Sequence, residues 1–111
     1  MLYKMKLTPA PFGSIKSGEK IIEVRLYDKK RQVIKIDDEI EFSEEPLQKN
    51  KINVKVVGLL RYKFFKDLAE DFPPKFFGAT TKEDLLTSVY KYYSKENELR
   101  YGVLGIRIKK I

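Results

Sequence analysis

Gly18-Glu19-Lys20-Ile21-Ile22-Glu23-Val24-Arg25-Leu26-Tyr27 is the stretch on which the reading of the fold turns. From Lys20 onward it is rich in β-branched residues, which predicts a strand over residues 20–27. Lys20, Ile22, Val24 and Leu26 would then share one face, mostly core, and Ile21, Glu23, Arg25 and Tyr27 the other, which is mixed. On that geometry Lys20 points away from Glu23 and Arg25 unless Gly18 twists the start of the strand. Immediately upstream, residues 11–17 read as a short helix, opened by Pro11 and closed by Gly18 in the left-handed position beyond its C-terminus. Further upstream still, residues 2–7 alternate Tyr3, Met5 and Leu7 against Lys4 and Lys6, which makes a first strand that Pro9 and Pro11 break.

Downstream of the stretch, residues 28–36 form a basic turn or single helical turn leading to an apolar segment, and Asp37-Asp38 a further turn. A strand over 39–42 puts Ile40 and Phe42 inward, and the longest strand runs over 52–62 with a bend near Gly58. Residues 63–70 are helical by spacing, with Phe64, Phe65 and Leu68 inward. Thr80-x-x-Glu83 reads as a capping box ahead of an apolar stripe of Leu85, Leu86, Val89, Tyr90 and Tyr93. Ser94 opens a second short helix that ends at Gly102, and residues 103–110 close the chain as a strand. Five strands with short helices between them, too few residues for parallel crossovers throughout, predict a small α+β domain with a mixed, barrel-like sheet.

At 111 residues the chain reads as a single domain over 1–111. It has no Cys and no His, which removes disulfide-linked partners, thiolate chemistry, Cys-ligated zinc and Ser-His-Asp catalysis. Proton transfer would fall to Lys, Tyr, Asp or Glu, and neither a metal nor another cofactor is expected. The apolar runs are short and no export signal is visible, so a soluble, cytoplasmic protein without membrane contact is expected. A net charge of +7 suits an anionic partner, and its distribution is uneven. Residues 1–36 carry nine basic and three acidic side chains, whereas residues 37–50 carry one and six. The acidic stretch of Asp37, Asp38, Glu39, Glu44 and Glu45 is expected to face away from a polyanion.

Gly18, Lys20, Glu23 and Arg25 match the G-x-K-x-x-E-x-R motif of the ASCH domain family (activating-signal-cointegrator homology), and the preceding short helix matches as well. The chain resembles that family over nearly its whole length. The family's Gly-Asp turn before a strand stands here as Asp37-Asp38, and Tyr101-Gly102-Val103-Leu104-Gly105-Ile106 matches its closing segment. The resemblance implies a PUA-like barrel and a cleft lined by the motif residues that takes RNA or a nucleotide-like ligand. In such a cleft Lys20 and Arg25 would meet phosphate or a carbonyl, and Glu23 would orient Arg25 or accept from a base amino group. Tyr27, Tyr62, Tyr92 and Tyr101, which stand beside charged residues, are candidates for stacking or hydrogen bonding to the ligand, and Lys29, Lys30 and Arg31 for outer phosphate contacts.

Two other readings accompany this one. Some small proteins of the family resemble amidohydrolases acting on N4-acetylated cytidine, with a Lys, a Thr three residues on and a later Glu, and others are read as ribonucleases. Here Lys20 is kept but Glu23 stands where the Thr would be, so an enzyme would have to rely on Lys20 and Glu23. Alternatively the acidic edge over 37–45 is the contact surface of a protein-interaction or regulatory module.

Overall fold

In the computed structural model, which describes residues 1–111, five strands make one curled sheet. They are β1 (Leu2–Leu7), β2 (Ile22–Leu26), β3 (Glu39–Glu44), β4 (Lys51–Tyr62) and β5 (Val103–Lys110), in the spatial order β1-β3-β4-β5-β2. β1 and β3 are parallel and the other three pairings antiparallel. Helices α1 (Pro9–Ser17), α2 (Lys29–Gln32), α3 (Phe65–Asp71), α4 (Lys82–Tyr92) and α5 (Lys95–Tyr101) join them, with a 3-10 turn at Pro74–Phe77. The fold is an α+β half-barrel: β1 bonds only to β3 and β2 only to β5, so the curled sheet keeps an open seam between β1 and β2.

Each face of the sheet has its own core. On the concave face Ile40, Phe42, Val54, Val56 and Ile106 are fully buried beneath Phe12 and Ile15 of α1. Burying each such side chain is worth about 1.5–3 kcal/mol relative to leaving it in water. On the other face Ile22, Leu26 and Val103 pack against Phe65, Leu68, Phe77, Leu85 and Val89 from α3, the 3-10 turn and α4. β4 serves both cores because its register against β5 slips between Val56 and Gly58, which places the bend where the sequence predicts it. A Cβ at Gly58 would lie 3.2 Å from the Arg107 Cβ, so the close approach suits glycine.

Local signals set most of the boundaries. Gly18, at φ 87°, ends α1 and donates to the Ile15 carbonyl at 3.0 Å. Asp37 occupies the left-handed region at φ 77°, so the turn before β3 is made without glycine, as aspartate tolerates. Two details differ from the expected pattern. The α4 cap is Thr81, whose hydroxyl accepts from the Asp84 N–H at 3.0 Å, one residue later than the expected Thr80-x-x-Glu83 box. Phe64 is not inward: α3 begins at Phe65, which turns Phe65, Leu68 and Ala69 to the core and leaves Phe64 exposed at the cap.

The start of α3 is completed from a distance. Glu98 of α5, almost wholly buried, accepts from the Phe65 N–H at 2.6 Å and from the Tyr90 hydroxyl at 2.8 Å. Burial and this carboxylate push the Tyr90 phenol up to about 12. α5 thereby anchors α3 to α4, and α4 forms one wall of the seam.

Candidate functional site

Lys20 does not belong to β2, and this decides the geometry of the site. Its backbone N–H donates to the Ser14 carbonyl at 3.0 Å, and that of Ile21 to the Phe76 carbonyl at 2.8 Å. These bonds hold the segment against α1 and the 3-10 turn, so strand alternation begins only at Ile22. Lys20 therefore reaches the same side as Glu23 and Arg25. Gly78, at φ 74°, leaves it room, since a Cβ there would lie 3.3 Å from both Cβ and Cδ of Lys20.

The three side chains form a buried ion cluster. Lys20 Nζ lies 2.7 Å from Glu23 Oε1, while Arg25 places Nε 2.8 Å and Nη2 2.7 Å from Glu23 Oε2. Arg25 Nη2 also donates to the Lys6 carbonyl at 3.4 Å, bridging the seam from β2 to β1. Burial by itself would raise the Glu23 pKa, but Lys20 and Arg25 outweigh it and hold the carboxyl down at about 2. Burial acts to lower Arg25, and Glu23, helped by Tyr93, holds it above its ordinary value instead. Glu23 is thus a fixed anion that orients a guanidinium in a low-dielectric floor. Both of its oxygens are engaged, one by Lys20 and the other by Arg25.

Above this floor opens a cleft of about 770 Å³ along the seam. α4 supplies one wall, where Asp84, Ser88 and Tyr92 recur every four residues and so line one helical face. Lys6, Leu7 and Thr8 form the opposite lip, with Lys91 and Tyr93 near the mouth. Four cations (Lys6, Lys20, Arg25, Lys91) meet three carboxylates (Glu23, Glu45, Asp84), so the cleft is mixed in charge rather than uniformly basic. Glu45 corrects the expectation that the acidic stretch faces away: its N–H bonds to the Leu7 carbonyl at 2.8 Å, which draws it to the lip. The rest of that stretch lies elsewhere: Glu44 accepts from the Asn50 side-chain amide at 2.9 Å, and Asp38 is tied to the N-terminal ammonium at 3.2 Å.

Of the other residues singled out from the sequence, Tyr92 lines this cleft, whereas Tyr27, Tyr62, Tyr101, Lys29, Lys30 and Arg31 do not. Tyr27 packs on the concave core with the Arg61 guanidinium 3.8 Å over its ring. Tyr101 ends α5 under Arg100, 5.2 Å away. Lys29 and Lys30 project from α2 into solvent, and Arg31 pairs with Asp28 at 2.7 Å. Conversely, Asp84 and Ser88 read in the sequence only as the polar flank of an amphipathic helix, and their four-residue spacing, continued by Tyr92, is the signal that marks them. No group of three or more Asp or Glu is placed to hold a metal ion, and no helix is long and apolar enough to cross a membrane.

Residues 5–111 match the sequence pattern of the ASCH domain. Among solved structures, the crystal structure of the hypothetical protein PH0355 is 36% identical, with each chain covered in full and a TM-score of 0.88. The solution structure of protein PF0455 from Pyrococcus furiosus is 30% identical over 100% of this chain and 98% of that one, with a TM-score of 0.73. A mutant of ZmASCH from Zymomonas mobilis shares the fold at 13% identity, with a TM-score of 0.62 over 97% of this chain and 67% of that one. No curated protein matches the chain.

Proposed function

The chain belongs to the ASCH domain family, and from that premise we propose that it is a module that binds RNA or a nucleotide-like ligand in the seam cleft. PUA-like folds are often linked to RNA binding. The observation that carries the reading is the buried Lys20–Glu23–Arg25 cluster, set as a preorganised floor under a cleft of about 770 Å³. That volume lies within the range of small-ligand sites, roughly 300–1,000 Å³. Of the five N–H donors of Arg25, Glu23 takes two and the Lys6 carbonyl a third, which leaves the Nη1 donors for a carbonyl or phosphate oxygen. Lys6 and Lys91 make no ion pair within the chain and stand at the lip for phosphate contacts. Tyr92, 70% exposed, offers a ring on which a base can stack.

Binding of single-stranded RNA and of free mononucleotides, followed by fluorescence anisotropy and calorimetry, tests this. Because Arg25→Ala would strip a partner from a buried cluster, Tyr92→Ala is the cleaner probe. It should weaken binding by about tenfold or more, as base stacking is worth roughly 1–3 kcal/mol, while leaving the melting temperature unchanged. A wild-type protein that binds neither RNA nor any nucleotide at low salt refutes the reading.

A further inference from the structure

The face of the sheet turned away from the concave core is not fully covered by helices. α3 lies over its Tyr62 end, where Leu60 and Tyr62 face Gly105 and Val103. Across the rest, strand register places Lys4, Lys6, Lys51, Lys55, Arg107 and Lys109 on one exposed surface with only two carboxylates, Glu39 and Glu41. Lys51 pairs with Glu41 at 3.4 Å, and that is the sole ion pair across this face. Lys55 and Lys109 sit directly opposite each other in the β4–β5 ladder, an arrangement that costs stability. Arg107 follows Lys109 on the same face. None of these three makes an ion pair within 4 Å, and the nearest carboxylate by register is Glu39, opposite Lys55 in the β3–β4 ladder.

We propose that this outer face binds the phosphodiester backbone of a single RNA strand, so that the protein engages RNA on two surfaces. Strand spacing and residue rise set these cations about 5–7 Å apart, a lattice suited to a row of phosphates rather than to one compact anion. Apolar side chains stand only at its margins, Leu2 on β1, Val57 at the bulge and Ile111 at the terminus, so the face lacks the apolar centre that a protein partner or an inserted membrane helix would require. Lys6 belongs both to this surface and to the lip of the cleft, making the two continuous across the β1 edge. The proposal shares with the cleft reading only the choice of RNA as partner.

The test is the salt dependence of binding to a 20-nucleotide single-stranded RNA by the triple variant Lys55→Gln, Arg107→Gln, Lys109→Gln. Removing three phosphate contacts should reduce the slope of log K against log salt by about 2, and low-salt affinity by about tenfold or more. Mononucleotide binding should stay unchanged. The opposite variant, Glu39→Gln with Glu41→Gln, should bind the strand more tightly. An unchanged slope in the triple variant overturns the proposal. So does loss of binding to phosphatidylserine vesicles with RNA binding intact, which would assign the face to a membrane surface. If the triple variant lowers the slope while Tyr92→Ala has no effect, the outer face stands and the cleft reading falls.

Discussion

Glu23 makes the stability of this protein depend on acid in a way that can be worked out in advance. Its carboxyl is held at about 2 in the folded protein against 4.5 in a free chain. A depressed folded pKa contributes stability above the unfolded value, and that contribution is lost as pH falls from 4.5 toward 2. A difference of that size corresponds to about 3 kcal/mol, out of the 5–15 kcal/mol typical of a whole domain. Glu23 is 3% exposed, so solvent screens the pairing little. Glu23→Gln removes the titrating group and leaves Lys20 and Arg25 buried without a counter-charge, which should cost roughly 3–5 kcal/mol at pH 7. Urea unfolding followed by circular dichroism should show the gap between wild type and variant closing by about 2.5 kcal/mol between pH 6 and pH 2.5. Other carboxylates titrate in both proteins and cancel in the difference. An NMR titration of the Glu23 side-chain carbon gives the same quantity even if the variant folds poorly. A gap that stays constant, or a Glu23 midpoint near 4.5, refutes the assignment of the cluster as an electrostatic unit.

Two further expectations concern the scaffold around the cluster. Gly78→Ala places a Cβ at φ 74° and within 3.1 Å of the Ser14 Cβ; the left-handed backbone costs about 1–2 kcal/mol, and the displaced Lys20 should weaken nucleotide binding, both measurable by thermal melting and calorimetry. Thr81→Ala should lose about 1 kcal/mol of stability through the missing α4 cap while Thr80→Ala loses almost none, and equal losses would contradict the cap assignment.

The elements themselves were largely legible, because their signals are local. Alternation marked β1, β3 and β5, Gly18 marked the end of α1, and Gly58 marked the slip in β4. What the sequence withheld depends on contacts between distant residues. Period-two alternation assigns Lys20 to the wrong face because nothing nearby announces that Ser14 and Phe76 hold the segment off the strand. Phe64 and Phe65 are adjacent and equally apolar, and only the exact first turn of α3, fixed by Glu98 from 33 residues away, decides which is buried. The motif residues stand out by type and spacing and Tyr92 by its charged neighbours, whereas Glu45, Asp84 and Ser88 enter the cleft through tertiary placement of β3's end and of α4. Tyr27, Tyr101 and Lys29–Arg31 are close in sequence to charge or to the motif, which the curvature of the sheet does not convert into closeness in space.

The unclosed seam has a bearing on how the protein behaves at high concentration. An unpaired strand edge is a template for another chain, and this sheet has two, β1 and β2. Both face the cleft, where Arg25 ties the Lys6 carbonyl and where a foreign strand would have to bury itself against Glu23 and Lys20. The charges that line the cleft therefore also guard the two open strand edges against edge-to-edge aggregation.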